Sequence, residues 1–230
     1  MGKRGPKPRR KEIIWSPNFA YGVGLLATDG CLWKDGLHFT FVSKDKEQIE
    51  NIKKCLDINT NPFQKTSGRP GDFKLYYRLQ WGDVTLHNYL NSVGITSNKS
   101  LTIGVIDIPD AYFFDFLRGS YDGDGCFYSY FDPRWKNSFM FYLSFTSASL
   151  AHIKWLQSEL NRLIQVKGHI SSKAATNNRN GFHQLRFGKR EAYKILTKMY
   201  ATDAGICLSR KRLKIVKALG IVGLSLPSQA

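Results

Sequence analysis

Acidic residues are scarce: 34 lysines and arginines face only 18 aspartates and glutamates, for a formal net charge of +16. Such an excess of cations concentrates polyanions, and nucleic acid is the commonest polyanionic partner. Long apolar runs are missing too, and no basic helix shows a lipid face, which argues against a membrane partner. The four cysteines (Cys31, Cys55, Cys126, Cys207) are scattered with no CxxC pair. That excludes a zinc finger and a disulfide framework, and it fits reduced thiols in an intracellular, DNA-associated protein. The five histidines (His38, His87, His152, His169, His183) lack metal-ligand spacing. Charge and proline follow Met1, so no secretory signal is read. Asp122-Gly123-Asp124-Gly125 begins like an EF-hand loop, but Phe127 stands where glycine is needed and Pro133 where the last ligand belongs.

What is present is a globular composition, 42% hydrophobic and 13% aromatic. The stretch Lys3 to Lys11 holds six cations and no acid, yet the remainder is still +10 without it. Its Gly5-Pro6-Lys7-Pro8 suits an extended arm along a DNA groove, a solvated tail or a nuclear-type address.

Laid over each other, the two halves of the chain match in order. Gly24 to Leu32 matches Gly119 to Phe127 at an offset of 95 residues, carrying Asp29 onto Asp124. Phe39-Thr40-Phe41 with Ile49 matches Leu143-Ser144-Phe145 with Ile153 at an offset of 104. Leu79 to Gly82 matches Leu185 to Gly188 at 106. Three matches in unbroken order indicate a duplication, with a longer first hairpin in the second copy around Asp132-Pro133-Arg134.

Periodicity gives each copy the same elements. A helix (17–28; 109–123) leads into a hairpin whose second strand alternates Leu37, Phe39, Phe41 with His38, Thr40, Val42, and Phe141, Leu143, Phe145 with Tyr142, Ser144, Thr146. A second helix follows (45–56; 149–164), then a hairpin ending in 74–81 or 182–187, then a closing helix (84–90; 191–200), with a further helix at 210–219. The expected class is α+β: two pseudo-symmetric αββαββα units, each sheet covered on one face and free on the other. The expected organisation is a basic tail (1–14), a first unit (15–94), a linker (95–108), a second unit (109–220) and a C-terminal tail (221–230).

Asp29 and Asp124 each end the first helix of a copy and precede glycine. Gly24 with Thr28, and Gly119 with Gly123, give each helix a face of small residues that lets two backbones approach. Two carboxylates brought together repel unless a cation sits between them, so the pair forms a hard-metal site. Two oxygen-ligated metals can activate water and stabilise the leaving oxygen of a phosphodiester. The expected metal set is Asp29 and Asp124 with the preceding Thr28 and Gly123.

Gly22 to Gly30 and Leu117 to Gly125 both resemble the LAGLIDADG motif of homing endonucleases, and the element order over residues 15 to 220 is similar to that family. The resemblance implies a single-chain, two-motif protein acting as a monomer on double-stranded DNA. It further implies sheets that form a saddle over the major groove, divalent metal on Asp29 and Asp124, and cleavage of both strands across the minor groove. Mg²⁺ or Mn²⁺ is the implied cofactor, as two or three ions shared between the aspartates. Lys99 and Lys211, at the positions of basic residues that follow each closing helix, are implied to assist at the scissile phosphate. Ala27 departs from the motif's first aspartate, which Asp122 retains.

The alternating strand 74–81 sets Lys74, Tyr76, Arg78 and Gln80 on one face, against Leu75, Tyr77, Leu79 and Trp81, expected under the helices. Arg matches guanine and Gln adenine in a major groove. The copied strand places Gln184 and Arg186 where Arg78 and Gln80 stand, so an asymmetric target is expected. Lys34, His38, Thr40, Tyr142 and Ser144 join this DNA-facing set. Lys65, Arg69, Arg134, Lys136, Lys173 and Arg179, in hairpin tips or loops, are expected to hold phosphates. The rival functions on this fold are an intron maturase that binds intron RNA and a DNA-binding regulator without cleavage.

Overall fold

A computed structural model describes residues 12–69, 72–135, 137–176, 181–201 and 205–227. Most of the basic tail, Lys136 and Arg179 lie outside the described residues, as does the side chain of Arg69.

The first unit runs α1 (Pro17–Thr28), β1 (Gly30–Leu32), β2 (His38–Ser43), α2 (Lys46–Leu56), β3 (Phe63–Arg69), β4 (Asp72–Gly82) and α3 (Val84–Ser92). The second runs α4 (Phe113–Asp124), β5 (Cys126–Phe131), β6 (Phe139–Ser147), α5 (Leu150–Ile164), β7 (His169–Lys173), β8 (Phe182–Gly188), α6 (Lys189–Met199) and α7 (Ser209–Ile221). Each unit builds one antiparallel four-stranded sheet, ordered β1-β2-β4-β3 and β5-β6-β8-β7. The longer hairpin of the second copy is the β5–β6 connection.

Local chemistry sets the helix ends. Ser16 accepts from the Phe19 N–H at 3.1 Å with Pro17 in the first turn, and Asp83 caps Leu86 at 2.9 Å. The second motif helix starts later than its sequence suggests. Asp110–Tyr112 forms a 3-10 turn, and the α-helix begins at Phe113. The linker spans both units, with Ile95, Ile103 and Ile106 buried: Ser97 Oγ donates to the Trp33 carbonyl at 3.0 Å in the first, and Ser149 Oγ of the second donates to the Ile103 carbonyl at 2.5 Å.

Pairing is in the same register in both sheets. Phe39 faces Trp81 and Phe41 faces Leu79 in one, as Leu143 faces Phe187 and Phe145 faces Leu185 in the other. All eight side chains are buried under the helices. Further out on β4 the expectation fails: Leu75 is 43% exposed, because the β3–β4 hairpin extends past the helices that would cover it.

α1 and α4 cross at the centre. A Cβ on Gly24 would lie 2.1 Å from the Phe116 carbonyl, and one on Gly119 would lie 2.0 Å from the Tyr21 carbonyl. Backbone therefore touches backbone, and only glycine fits at either position.

Candidate metal and DNA-binding site

The glycine contact carries the C-terminal ends of α1 and α4 to one place. A Cβ on Gly123 would fall 3.0 Å from Asp29 Oδ2, so Asp29 lies against the residue preceding Asp124. Asp29 is half-buried and Asp124 exposed. Burial, then the nearby Asp124 charge, push the Asp29 carboxyl up to about 6, against the Gln48 hydrogen bond and the Lys211 and Lys99 charges. Although its residue surface is open, Asp124 is also raised, by the partial desolvation of its carboxyl among the crowded helix ends, opposed by the same two lysines. Two such carboxylates, set side by side at the cost of their own ionisation, suit a cation between them.

Each helix end also receives a lysine. Lys99 is only 6% exposed and donates to the Gly30 carbonyl. Lys211 donates to the carbonyls of Tyr121 (2.6 Å), Gly123 (3.1 Å) and Gly125 (2.8 Å). Burial lowers both ammonium pKa values. A cation at a helix C-terminus meets the negative end of the helix dipole, which helps keep these lysines charged. The duplication thus yields two copies of one arrangement, a carboxylate beside a lysine.

The donor set fits a hard divalent cation. Among the described residues no three His, Cys, Asp or Glu side chains cluster. The two carboxylates would hold an ion with water and phosphate oxygens completing its shell, as is usual for magnesium. The Thr28 hydroxyl is already committed to the Leu25 and Gly24 carbonyls, and the Gly123 carbonyl to Lys211.

Gln48 was not singled out by sequence. It is buried and donates through Nε2 to Asp29 Oδ2 (3.1 Å) and to the Asp122 carbonyl (3.3 Å). Ser43 donates to its Oε1 at 2.6 Å. The copy puts His152 in this place, one residue before Ile153 as Gln48 is before Ile49. His152 lines a cavity of about 20 Å³ with Thr28, Ser120 and Asp124, and its Nδ1 bonds the Gly104 carbonyl at 2.9 Å. A polar residue at a buried helix position was the available signal in both copies.

Asp122, the motif aspartate that Ala27 replaces in the first copy, has its carboxylate held by other partners. Its Oδ2 accepts from Tyr21 Oη (2.8 Å) and the Leu208 N–H (2.6 Å). It ties α1 to the start of α7, the helix that carries Lys211.

The open faces of the sheets carry the expected readers with some revisions. Arg78, Gln80 and Gln184 are half-buried and Arg186 exposed. Arg78 lies over Phe63 at 5.7 Å and Arg186 over Tyr142 at 5.4 Å. Tyr142 stacks on Tyr128 at 5.1 Å, and Tyr128 Oη accepts from Arg186 at 3.4 Å. Thr40 and Ser144 are buried, and the neighbouring Gln80 and Gln184 amides donate to them at 3.2 and 3.4 Å. His38 is paired with Asp35 at 2.6 Å and Arg134 with Asp132 at 2.8 Å, so both side chains fold back on their own turns. Lys34, Lys65, Lys74 and Lys173 are exposed, and Tyr76 is half-buried beneath Lys44 Nζ at 5.3 Å.

Residues 113–200, most of the second unit, match the sequence model of the LAGLIDADG-like domain. Among solved structures, the homing endonuclease I-WcaI bound to its DNA recognition sequence superposes with a TM-score of 0.60 at 15% identity, over 92% of this chain and 94% of that one. This is the LAGLIDADG fold. I-LtrWI, a LAGLIDADG homing endonuclease bound to target DNA, follows at 0.54 and 14% identity, over 90% of each chain. The N-terminal LAGLIDADG domain of DUF199/WhiA gives 0.52 at 13% identity, over 87% of this chain and 88% of that one. No curated protein sequence matches the chain. The fold is present in its single-chain form, with two units and the two motif helices at the centre. Among the described residues no helix is long and apolar enough to cross a membrane.

Proposed function

We propose that this chain is a site-specific, divalent-metal-dependent endonuclease that cuts both strands of an asymmetric DNA target. The observation that carries the reading is the arrangement at the crossing-helix ends, where Asp29 and Asp124 lie within the influence of both Lys99 and Lys211. A DNA-binding LAGLIDADG protein without cleavage, the second reading, is supported by the likeness to the WhiA domain, but binding alone gives no reason for two carboxylates gathered with two lysines at the crossing-helix ends.

Magnesium held by the two aspartates would supply an activated water and a charge on the leaving oxygen. Asp29 and Asp124 orient the ions, and Gln48 fixes one oxygen of Asp29. Lys99 and Lys211 would offset negative charge developing on the phosphate. The strand residues hold the duplex in register, acting as a monomer because both halves of the site belong to one chain. Homing of a mobile intron is the setting that such a nuclease serves.

The test is Mg²⁺-dependent cleavage of a selected duplex labelled separately on each strand, with Ca²⁺ as the control. Asp29→Asn or Asp124→Asn should abolish double-strand cutting, leave at most a nick, and preserve DNA affinity and folding. A single variant that cuts both strands at the wild-type rate refutes the assignment. Retained specific binding with no cleavage by the parent chain selects the regulator reading.

A further inference from the structure

Resting on the nuclease reading, we infer that the two half-sites demand guanine at different distances from the target centre. Arg78 recognises a guanine about two base pairs closer in than the one Arg186 recognises, with the adenine readers Gln80 and Gln184 exchanged to match.

The sheet registers supply the argument. Gly30, directly after Asp29, pairs with Phe41, and Phe41 with Leu79. The row Val42–Arg78 therefore lies level with Asp29, and the row Thr40–Gln80 lies one step further out, level with Cys31. In the second sheet Cys126 pairs with Ser144 and Ser144 with Arg186. Arg186 thus occupies the outer row and Gln184, paired with Thr146, the inner one. The first unit presents Arg inside and Gln outside; the second presents Gln inside and Arg outside.

Two residues along a strand advance about 6.8 Å, and two base pairs advance about the same distance. The guanidinium is a bidentate partner for guanine and the Gln amide for adenine. Neither arginine has a carboxylate partner among the described residues, and each is seated on a ring, Phe63 or Tyr142. Arg78 Nε is buried without an acceptor. Both side chains are therefore held in place with their donors uncommitted to acids.

The experiment selects bound duplexes from a randomised library with the full chain in Ca²⁺, then repeats the selection with two exchange variants. These are Arg78→Gln with Gln80→Arg, and Gln184→Arg with Arg186→Gln. The parent should enrich guanine at an inner position in one half and about two base pairs further out in the other. Each exchange should move guanine in its own half only, making the two halves alike at these positions, and each should disfavour the parental duplex about 5- to 150-fold. Thermal unfolding identifies a variant that has failed to fold, and the other exchange then decides. Guanines equidistant from the centre, or a consensus that ignores both exchanges, overturns the inference and leaves the nuclease reading standing. Enrichment of no sequence overturns both, whereas the expected pattern without Mg²⁺ cleavage overturns only the nuclease reading.

Discussion

At the scale of the residue, the raised Asp29 carboxyl links proton, metal and stability. In the metal-free protein the folded state binds this proton more tightly than the unfolded chain, whose ordinary value is 3.8 against about 6 in place. The resulting stabilisation is present below about pH 4 and is lost as pH rises toward about 6. A divalent cation competes with that proton. Ca²⁺ should therefore raise the melting temperature more at about pH 7.5 than at about pH 5, and Asp29→Asn should flatten the difference. A calcium effect independent of pH between these limits contradicts the site. Lys211→Met tests the neighbouring group: it removes the charge and keeps the stem, so cleavage should fall well before DNA affinity does. Equal loss of both would make Lys211 an ordinary DNA contact. Asp29 and Asp124 stood out because the duplication repeats them, and Lys99 and Lys211 through the resemblance to the family alone. Gln48 was not, since its meaning comes from a fold that brings α2 onto the end of α1. Thr40 and Ser144 looked like free readers because alternation reveals which face a residue takes, and not what its neighbours hydrogen-bond to.

At the scale of the element, the helix crossing is the most demanding contact. Gly24→Ala or Gly119→Ala puts a methyl into the carbonyl of the other helix, and backbone cannot turn aside. A loss of about 1–3 kcal/mol or more is expected, read by urea unfolding, together with loss of cleavage as the carboxylates separate. Gly220→Ala in α7, where a Cβ meets nothing within 4 Å, is the control and should be neutral or mildly stabilising. Survival of the crossing variants at parental stability would mean that the helices can part cheaply. Helices and strands were readable from period and capping because local chemistry agrees with the fold over most of both units. Two places resisted. Asp110–Tyr112 has helix-start chemistry but winds as a 3-10 turn, and the outer part of β4 alternates properly with no helix above it. In each case the outcome depends on what lies beyond the segment, which a local pattern does not carry.

At the scale of the whole molecule, the +16 charge sets the salt response. If roughly six to ten phosphates are neutralised, affinity should fall by about 10³ to 10⁵ between about 50 and 200 mM salt. Filter binding or fluorescence anisotropy measures the slope, and a flat response refutes the electrostatic account. The two units are joined by more than the crossing helices. α7 belongs to the second unit by sequence, yet Ser209 bonds Glu47 at 3.0 Å and Arg210 pairs with Asp45 at 2.7 Å, and Asn51 donates to the Cys207 carbonyl at 3.1 Å.

That seam bears on the order in which a ribosome delivers the parts. Both aspartates and Lys99 emerge before α7, while Lys211 and the ties that seat it follow them. A nascent chain stalled after Tyr200 would carry both carboxylates and lack one of the two lysines beside them. On the proposed nuclease reading, full competence to cut would then wait for α7.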